Sequence, residues 1–212
     1  MKYSTVIVAA GKGQRMKLGY NKVYARLDDG RTILEHAMDI FLNDEDCVQI
    51  TVVTDAQDYY HNVKGRWPGK ITLARGGETR QQSVSNGLNT VIGEAVMIHD
   101  GARPFLDRES LERLKKALET EDAALLCVPC KDTIKVVTDG YITETPDRNT
   151  LMNAQTPQAF RTELLVECMR KAAEEGFTGT DDTSLVERYS SARVKAVEGS
   201  YANIKITVPE DL

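Results

Sequence analysis

No apolar run in the chain reaches the ~18 residues that a membrane-spanning helix needs. No long basic run is present either, and the net charge is −5, which argues against nucleic acid as a partner. Histidine is scarce: only His36, His61 and His99 occur, too few for a metal hydrolase built on His and Asp. His61 falls in a polar helical stretch and is expected to be exposed, whereas His36 is expected to pack. Cysteine numbers four. Cys127 and Cys130 have the spacing of a redox or zinc motif. A redox pair normally opens a helix, and a zinc site needs two further ligands. This pair lies late in an apolar, strand-like run, where a separation of three turns the side chains to opposite faces, so buried free thiols are expected.

Two glycine signatures are also missing. The dinucleotide fingerprint needs a third glycine where Met16 stands, and no clear acidic residue ends a second strand. The Gly-Lys-Ser/Thr of a P-loop is absent. There is no internal repeat, low-complexity tract or linker. The N-terminus enters a strand directly, with no leader-like segment, so a cytoplasmic location is expected.

What is present suits one soluble domain of 212 residues, with 41% hydrophobic and 28% charged residues. Short apolar runs alternate with helical stretches, which predicts an α/β fold with a mostly parallel sheet. Strands are expected near 5–9, 48–54, 71–74, 95–99, 123–128 and 194–197. Thr32 and Glu35 form a capping box opening a helix toward Leu42, with Ile33, Leu34, Ala37, Met38 and Phe41 on its core face. Asn43-Asp-Glu-Asp46 reads as a solvated acidic turn. A further helix is expected over 55–64, broken at Trp67-Pro-Gly69. Others follow over 108–118, capped by Asp107, over 163–174, and over 184–189. Thr133–Val137 and Tyr141–Thr145 alternate around Asp139-Gly140, a hairpin signal. An isolated hairpin is marginal in water, so this arm should pack on something. Gln155-Thr-Pro-Gln158 reads as a polar turn. Asp181 and Asp182, at a helix start, read as caps rather than metal ligands.

The chemistry-bearing stretch is Val6-Ile-Val-Ala-Ala-Gly-Lys-Gly-Gln-Arg-Met16, with Lys22 just beyond it. A buried strand empties into a loop in which Gly11 and Gly13 let backbone N–H groups approach an anion. Lys12, Arg15 and Lys22 add cations, suggesting a polyphosphate site; glycines alone would equally suit a structural turn. A second glycine loop, Arg75 to Ser83, runs into a helix whose start is a capping box of Thr79 and Gln82. Helix N-termini favour anions, and Arg80 adds charge. Asp100 ends the fourth strand, where ligands of open α/β folds sit. It suits Mg²⁺, which takes one or two carboxylates plus substrate phosphates; Arg103 braces it or meets a phosphate.

Ala-Ala-Gly-x-Gly-x-Arg-Met with Lys22 resembles the signature loop of the sugar-phosphate nucleotidyltransferase family. Further matches are His99-Asp-Gly-Ala-Arg-Pro104, Lys131-Asp-Thr-Ile-Lys135, Asp147-Arg148, Gln155-Thr-Pro-Gln-Ala-Phe160, Gly179-Thr-Asp-Asp182 and Ala202-Asn-Ile-Lys205. Together they resemble the cytidylyltransferases that act on 2-C-methyl-D-erythritol 4-phosphate in non-mevalonate isoprenoid synthesis. The resemblance implies a Rossmann-like sheet flanked by helices. It implies one nucleotidyltransferase domain over 1–212, with 131–152 a β-arm that embraces a second subunit in a homodimer. It implies CTP as substrate, held by Ala9, Ala10, Gly11, Gly13, Gly77, Glu78, Arg80, Ser83, Gly101 and Lys205. Arg15, Lys22, Arg148 and Lys205 are the implied catalytic residues. Thr133, Arg148, Arg103 and Thr156 are the implied sugar-phosphate contacts, and Asp100 the Mg²⁺ ligand. Relatives usually continue past Pro-Glu-Asp-Leu212 with another helix. A ribitol-5-phosphate cytidylyltransferase shares the first loop and a Thr-Pro-Gln turn, and a non-catalytic CTP-binding protein on the same fold is the other alternative.

Overall fold

The computed structural model describes residues 1–11, 19–63 and 69–211. Strand β1 (Tyr3–Val8) alternates its side chains between two buried layers. Tyr3 and Ile7 join one apolar cluster, and Val6 joins the other, the period of two that a strand imposes. β1 lies parallel to β2 (Cys47–Val53) on one side and to β4 (Ala95–Asp100) on the other. β3 (Ile71–Ala74) extends the sheet beyond β2. Helix α1 (Ile33–Leu42) begins with both bonds of the expected capping box. It packs Leu34, Met38 and Phe41 onto one face of the sheet, together with Leu111 and Leu114 of α4 (Arg108–Ala117). On the opposite face lie α3 (Arg80–Leu88), α5 (Thr162–Glu175) and α6 (Asp182–Tyr189), through Val84, Leu165, Met169 and Val186. A short α2 (Ala56–Asn62) follows β2 and is capped by Asp55. The expected break at Trp67 and Pro68 lies outside the described residues.

The sheet is completed by β5 (Ala123–Pro129), β8 (Met152–Arg161) and β9 (Val194–Glu198), in the order β3-β2-β1-β4-β8-β5-β9. β8 is antiparallel to both of its neighbours. It corrects the sequence expectation that Gln155–Gln158 is a polar turn. A proline inside a central strand normally argues against the strand, because it cannot donate to the ladder. Here the ladder is interrupted where Pro157 stands: Leu125 pairs with Gln158 and Cys127 with Ala154, so residues 155–157 face Leu126 alone. The Thr156–Pro157 bond is cis.

Between β5 and β8 the chain leaves the sheet as β6 (Val136–Thr138) and β7 (Tyr141–Glu144), a separate two-stranded sheet. Asp139 and Gly140 both have positive φ, 52° and 84°, the backbone of the hairpin turn expected there. Val137, Tyr141 and Ile142 on this arm are exposed by 57%, 78% and 64%.

Other expectations are adjusted. Asp44 is not solvated: it is buried, accepts from the Tyr3 hydroxyl at 2.7 Å, and pairs with Lys115 at 3.1 Å. His36, expected to pack, is partly exposed, bonded to Asp29 and Arg31; His61 is exposed, as expected. All four cysteines are free; Cys127 is buried, while Cys130 is only half-buried, with its thiol against Asn153.

Candidate active site

The strand order reverses direction between β1 and β4, which makes the carboxyl ends of these strands the switch point where open α/β sheets take ligands. Val8 and Asp100 are in register there. Backbone bonds hold the emerging loops: Ala9 N–H to Val53 O at 2.9 Å, and Gly101 N–H to Val8 O at 2.9 Å. A cleft of about 1400 Å³ opens at this end, lined by Ala9, Ala10 and Gly11, by residues 75–80, and by Lys22, Asp100 and Lys205.

Each wall has a local cause. Asn21 caps a 3₁₀ turn (Lys22–Tyr24) and also donates to Ala9 O, fixing Lys22 beside the first loop. The Lys22 ammonium donates to Ile206 O. The opposite wall is folded by its own side chains. Ser83 Oγ accepts from Gly77 N–H at 3.0 Å and donates to Thr79 O at 2.9 Å. Thr79 accepts from Gln82 N–H as a helix cap should, but Gln82 Oε1 accepts from Glu78 N–H rather than from Thr79, so half of the expected capping box is displaced by one residue. Gly76 is required by proximity: a Cβ there would lie 2.3 Å from Ala10 Cβ. At Gly77 it would lie 2.4 Å from Gln82 Cβ.

The floor is an ionic array. Asp100 Oδ2 lies 2.8 Å from Lys205 Nζ and 3.6 Å from Arg103 Nε, and its Oδ1 lies 3.4 Å from Arg80 Nε. Arg80 Nη2 lies 2.8 Å from Asp182 Oδ2. Burial alone pushes the Asp100 carboxyl up. Lys205, then Arg80 and Arg103, outweigh it and hold the group well below the usual carboxylate range, so it is ionised. Burial lowers Arg80, but Asp182 and Asp100 overcome that and raise it. Asp182 is pushed up by burial, against the pull of Arg80.

Lys205 is brought in from the far end of the chain by three backbone anchors. Arg103 Nη1 donates to Asn203 O at 2.7 Å, Asn203 Nδ2 donates to Thr156 O at 2.9 Å, and Ile206 N–H donates to Ala102 O at 2.9 Å.

A family model described as 2-C-methyl-D-erythritol 4-phosphate cytidylyltransferase matches residues 3–212. The chain belongs to this family. It is 47% identical over 220 residues to the 2-C-methyl-D-erythritol 4-phosphate cytidylyltransferase of Caldanaerobacter subterraneus subsp. tengcongensis, spanning 100% of this chain and 96% of the relative. It is 42% identical over 217 residues to that of Bacillus velezensis, spanning 100% and 93%. The crystal structure of 4-diphosphocytidyl-2C-methyl-D-erythritol synthase from Anaerococcus prevotii matches with a TM-score of 0.87 at 35% identity, covering 99% of this chain and 92% of that one. The 2-C-methyl-D-erythritol 4-phosphate cytidylyltransferase of Francisella tularensis matches with a TM-score of 0.85 at 30% identity, covering 100% and 96%.

For this cytidylyltransferase family member, the residues singled out in the sequence separate into four groups. Ala9, Ala10, Gly11, Lys22, Gly77, Glu78, Arg80, Ser83, Asp100 and Lys205 line one cleft. Gly13 and Arg15 lie outside the described residues. Gly101, Arg103 and Thr156 sit behind the cleft wall. Thr156 is buried; its hydroxyl accepts from Asp100 N–H at 3.0 Å and lies 3.1 Å from His99 Nδ1. Thr133 and Arg148 belong to the arm side. Arg148 donates to Lys131 O at 2.9 Å and, with Cys130 and Met152, borders a second cavity of about 480 Å³.

Sequence reasoning missed Asp182, treating it with Asp181 as a cap. Only one residue can occupy the cap. Asp181 does so, accepting from Ser184 N–H at 2.9 Å, which leaves the Asp182 side chain to turn inward. Thr207 in the cleft wall was also missed, and sequence reasoning placed Arg75 and Gly76 in the second glycine loop without a role of their own.

Among the described residues no group of three or more His, Cys, Asp or Glu side chains is placed to hold a metal ion. A divalent cation at Asp100 therefore fits only the Mg²⁺ pattern of one carboxylate completed by phosphates and water. Asp100 supplies that one carboxylate and lines the cleft, but Lys205, Arg80 and Arg103 already surround it, so a divalent cation there would have to displace one of them and take its other ligands from phosphate and water.

Proposed function

We propose that the chain transfers a cytidylyl group from CTP to 2-C-methyl-D-erythritol 4-phosphate, giving 4-diphosphocytidyl-2-C-methyl-D-erythritol and pyrophosphate. The observation that carries this reading is the convergence of Lys22, Arg80 and Lys205, from distant parts of the chain, on one cleft under two glycine loops. A phosphate oxygen of the sugar phosphate attacks the α-phosphorus of CTP in line. The new O–P bond forms as the bond to the β-phosphate oxygen breaks, and pyrophosphate leaves with the electron pair. Two anions must approach each other, so placed positive charge and alignment are the catalytic task, and no side-chain nucleophile is needed.

Lys22 and Lys205 act as point charges beside the reacting phosphates; Arg15 takes a share from the first loop. Mg²⁺ on Asp100 would neutralise triphosphate oxygens. The 75–83 wall receives the nucleotide through backbone groups at Gly77 and Glu78. The arm over 131–152 carries Thr133 and Arg148 to the cleft of a second copy, making the protein a homodimer. Its exposed Val137, Tyr141 and Ile142 favour this, since a lone apolar hairpin gains little in water. Among the described residues no helix is long and apolar enough to cross a membrane, and the reading places the enzyme in the cytoplasm with its nucleotide substrate.

The test is pyrophosphate release with each of the four ribonucleoside triphosphates, crossed against 2-C-methyl-D-erythritol 4-phosphate and ribitol 5-phosphate. Release only with CTP and the erythritol phosphate is expected. Preference for ribitol 5-phosphate moves the substrate assignment, and tight CTP binding without release from any pair overturns catalysis.

A further inference from the structure

Asp182 is a buried carboxylate with no assigned task. It is 1% exposed. It does not cap α6, because Asp181 does, and its own N–H is taken by Gln158 Oε1 at 3.1 Å. Its side chain meets Arg80 Nη2 at 2.8 Å. The other edge of the same guanidinium reaches Asp100 only through Nε, at 3.4 Å. A guanidinium beside a single carboxylate ordinarily closes on it with two parallel bonds. Here the tighter hold is from Asp182, and Asp100 keeps Oδ2 for Lys205.

We propose that Asp182 is a positioning residue for cytidylyl transfer: it anchors Arg80 from behind, keeping the guanidinium on the cleft wall with only Nε, at 3.4 Å, on Asp100. This rests on the reading of the cleft as the CTP site. Without the Asp182 charge, Arg80 closes on Asp100 and displaces Lys205. The chemical step then suffers while CTP binding does not, because the change removes a negative charge near an anionic nucleotide.

The variant Asp182→Asn keeps the shape and an acceptor oxygen while removing the charge. Wild-type pyrophosphate release is measured first; its absence defeats the functional reading, and this proposal with it, before any variant is compared. With wild-type release in hand, kcat of Asp182→Asn is expected to fall roughly tenfold or more, the scale for losing an orienting partner. The calorimetric Kd for CTP is expected to be unchanged or tighter. Because the effect passes through Arg80, Arg80→Ala/Asp182→Asn is expected to be no slower than Arg80→Ala. Wild-type kcat in Asp182→Asn, or losses that add in full in the double variant, overturn the proposal. If Asp182→Asn does not fold, Arg80→Lys decides: an ammonium cannot bridge two carboxylates as the fork does, so kcat at saturating CTP should fall whatever the change in CTP affinity, and wild-type kcat there overturns the proposal.

Discussion

Lys205 Nζ lies 2.8 Å from Asp100 Oδ2. The pair joins the end of the central strand β4 to a segment near the C-terminus, and it puts a cation on an acidic side chain that lines the cleft. Lys22 is tied to the same segment through Ile206 O. The two lysines are therefore held by one short stretch of backbone, and moving it moves both charges.

Lys22→Ala is expected to lose roughly 10²-fold in kcat, the scale for removing one preorganised electrostatic group. Steady-state pyrophosphate release measures it. Near-normal turnover would reject Lys22 as a catalytic charge.

Thr156→Val tests whether the Thr156 hydroxyl serves structure or substrate. The hydroxyl accepts from Asp100 N–H and faces His99 Nδ1, so its loss leaves buried polar groups unpaired, at about 1–3 kcal/mol. Chemical denaturation should show that loss while KM for the sugar phosphate stays within about twofold. A large KM change with undiminished stability would return Thr156 to the substrate.

His99 gives a pH signature. Burial holds its pKa down at about 4, against an ordinary 6.5. Below pH 6.5 the unfolded chain takes up a proton at His99 that the folded chain refuses, so stability falls with pH until about 4. The full span is roughly 3 kcal/mol. His99→Gln should therefore lose less stability than wild type between pH 7 and pH 5, measured by denaturant unfolding. Parallel losses would contradict the buried neutral ring.

Gly76→Ala places a methyl 2.3 Å from Ala10 Cβ. Overpacking of this kind costs about 1–3 kcal/mol, and here it separates the two loops that receive the nucleotide. The expected readout is a raised KM for CTP; an unchanged KM would remove these loops from nucleotide binding.

Mixing inactive Lys22→Ala and Arg148→Ala chains tests the arm. If it reaches a neighbour's cleft, each mixed dimer holds one site with both residues intact, and activity returns. No recovery in chains shown to exchange subunits would confine each site to one chain.

The parts of the fold legible in the sequence were those with local causes. Thr32 and Glu35 formed their box, Asp107 capped its helix, and Asp139-Gly140 turned the hairpin. What failed depended on distant partners. Gln155–Gln158 looks like a turn because proline and three polar residues suit one; β5 and β4 on either side, and distant partners such as Ser200, Asn203 and Asp182, supply the bonds that make it a buried strand. Asp44 reads as solvated until Tyr3 and Lys115 are known to surround it. Of the residues that line the cleft, Gly11, Lys22, Arg80 and Asp100 stood out because glycines, cations and a strand-end carboxylate are visible in sequence, whereas Glu78, Ser83 and Lys205 came from the family resemblance. Asp182 was missed, because its meaning lies in Arg80, on another helix.

The measurement closest to the core of this reading is steady-state turnover of Lys205→Ala with CTP and 2-C-methyl-D-erythritol 4-phosphate, taken beside its melting curve. Expected is a loss of roughly 10²-fold in kcat from a chain that melts within a few degrees of wild type. Wild-type turnover in that variant would contradict the convergence of Lys22 and Lys205 as the source of catalysis.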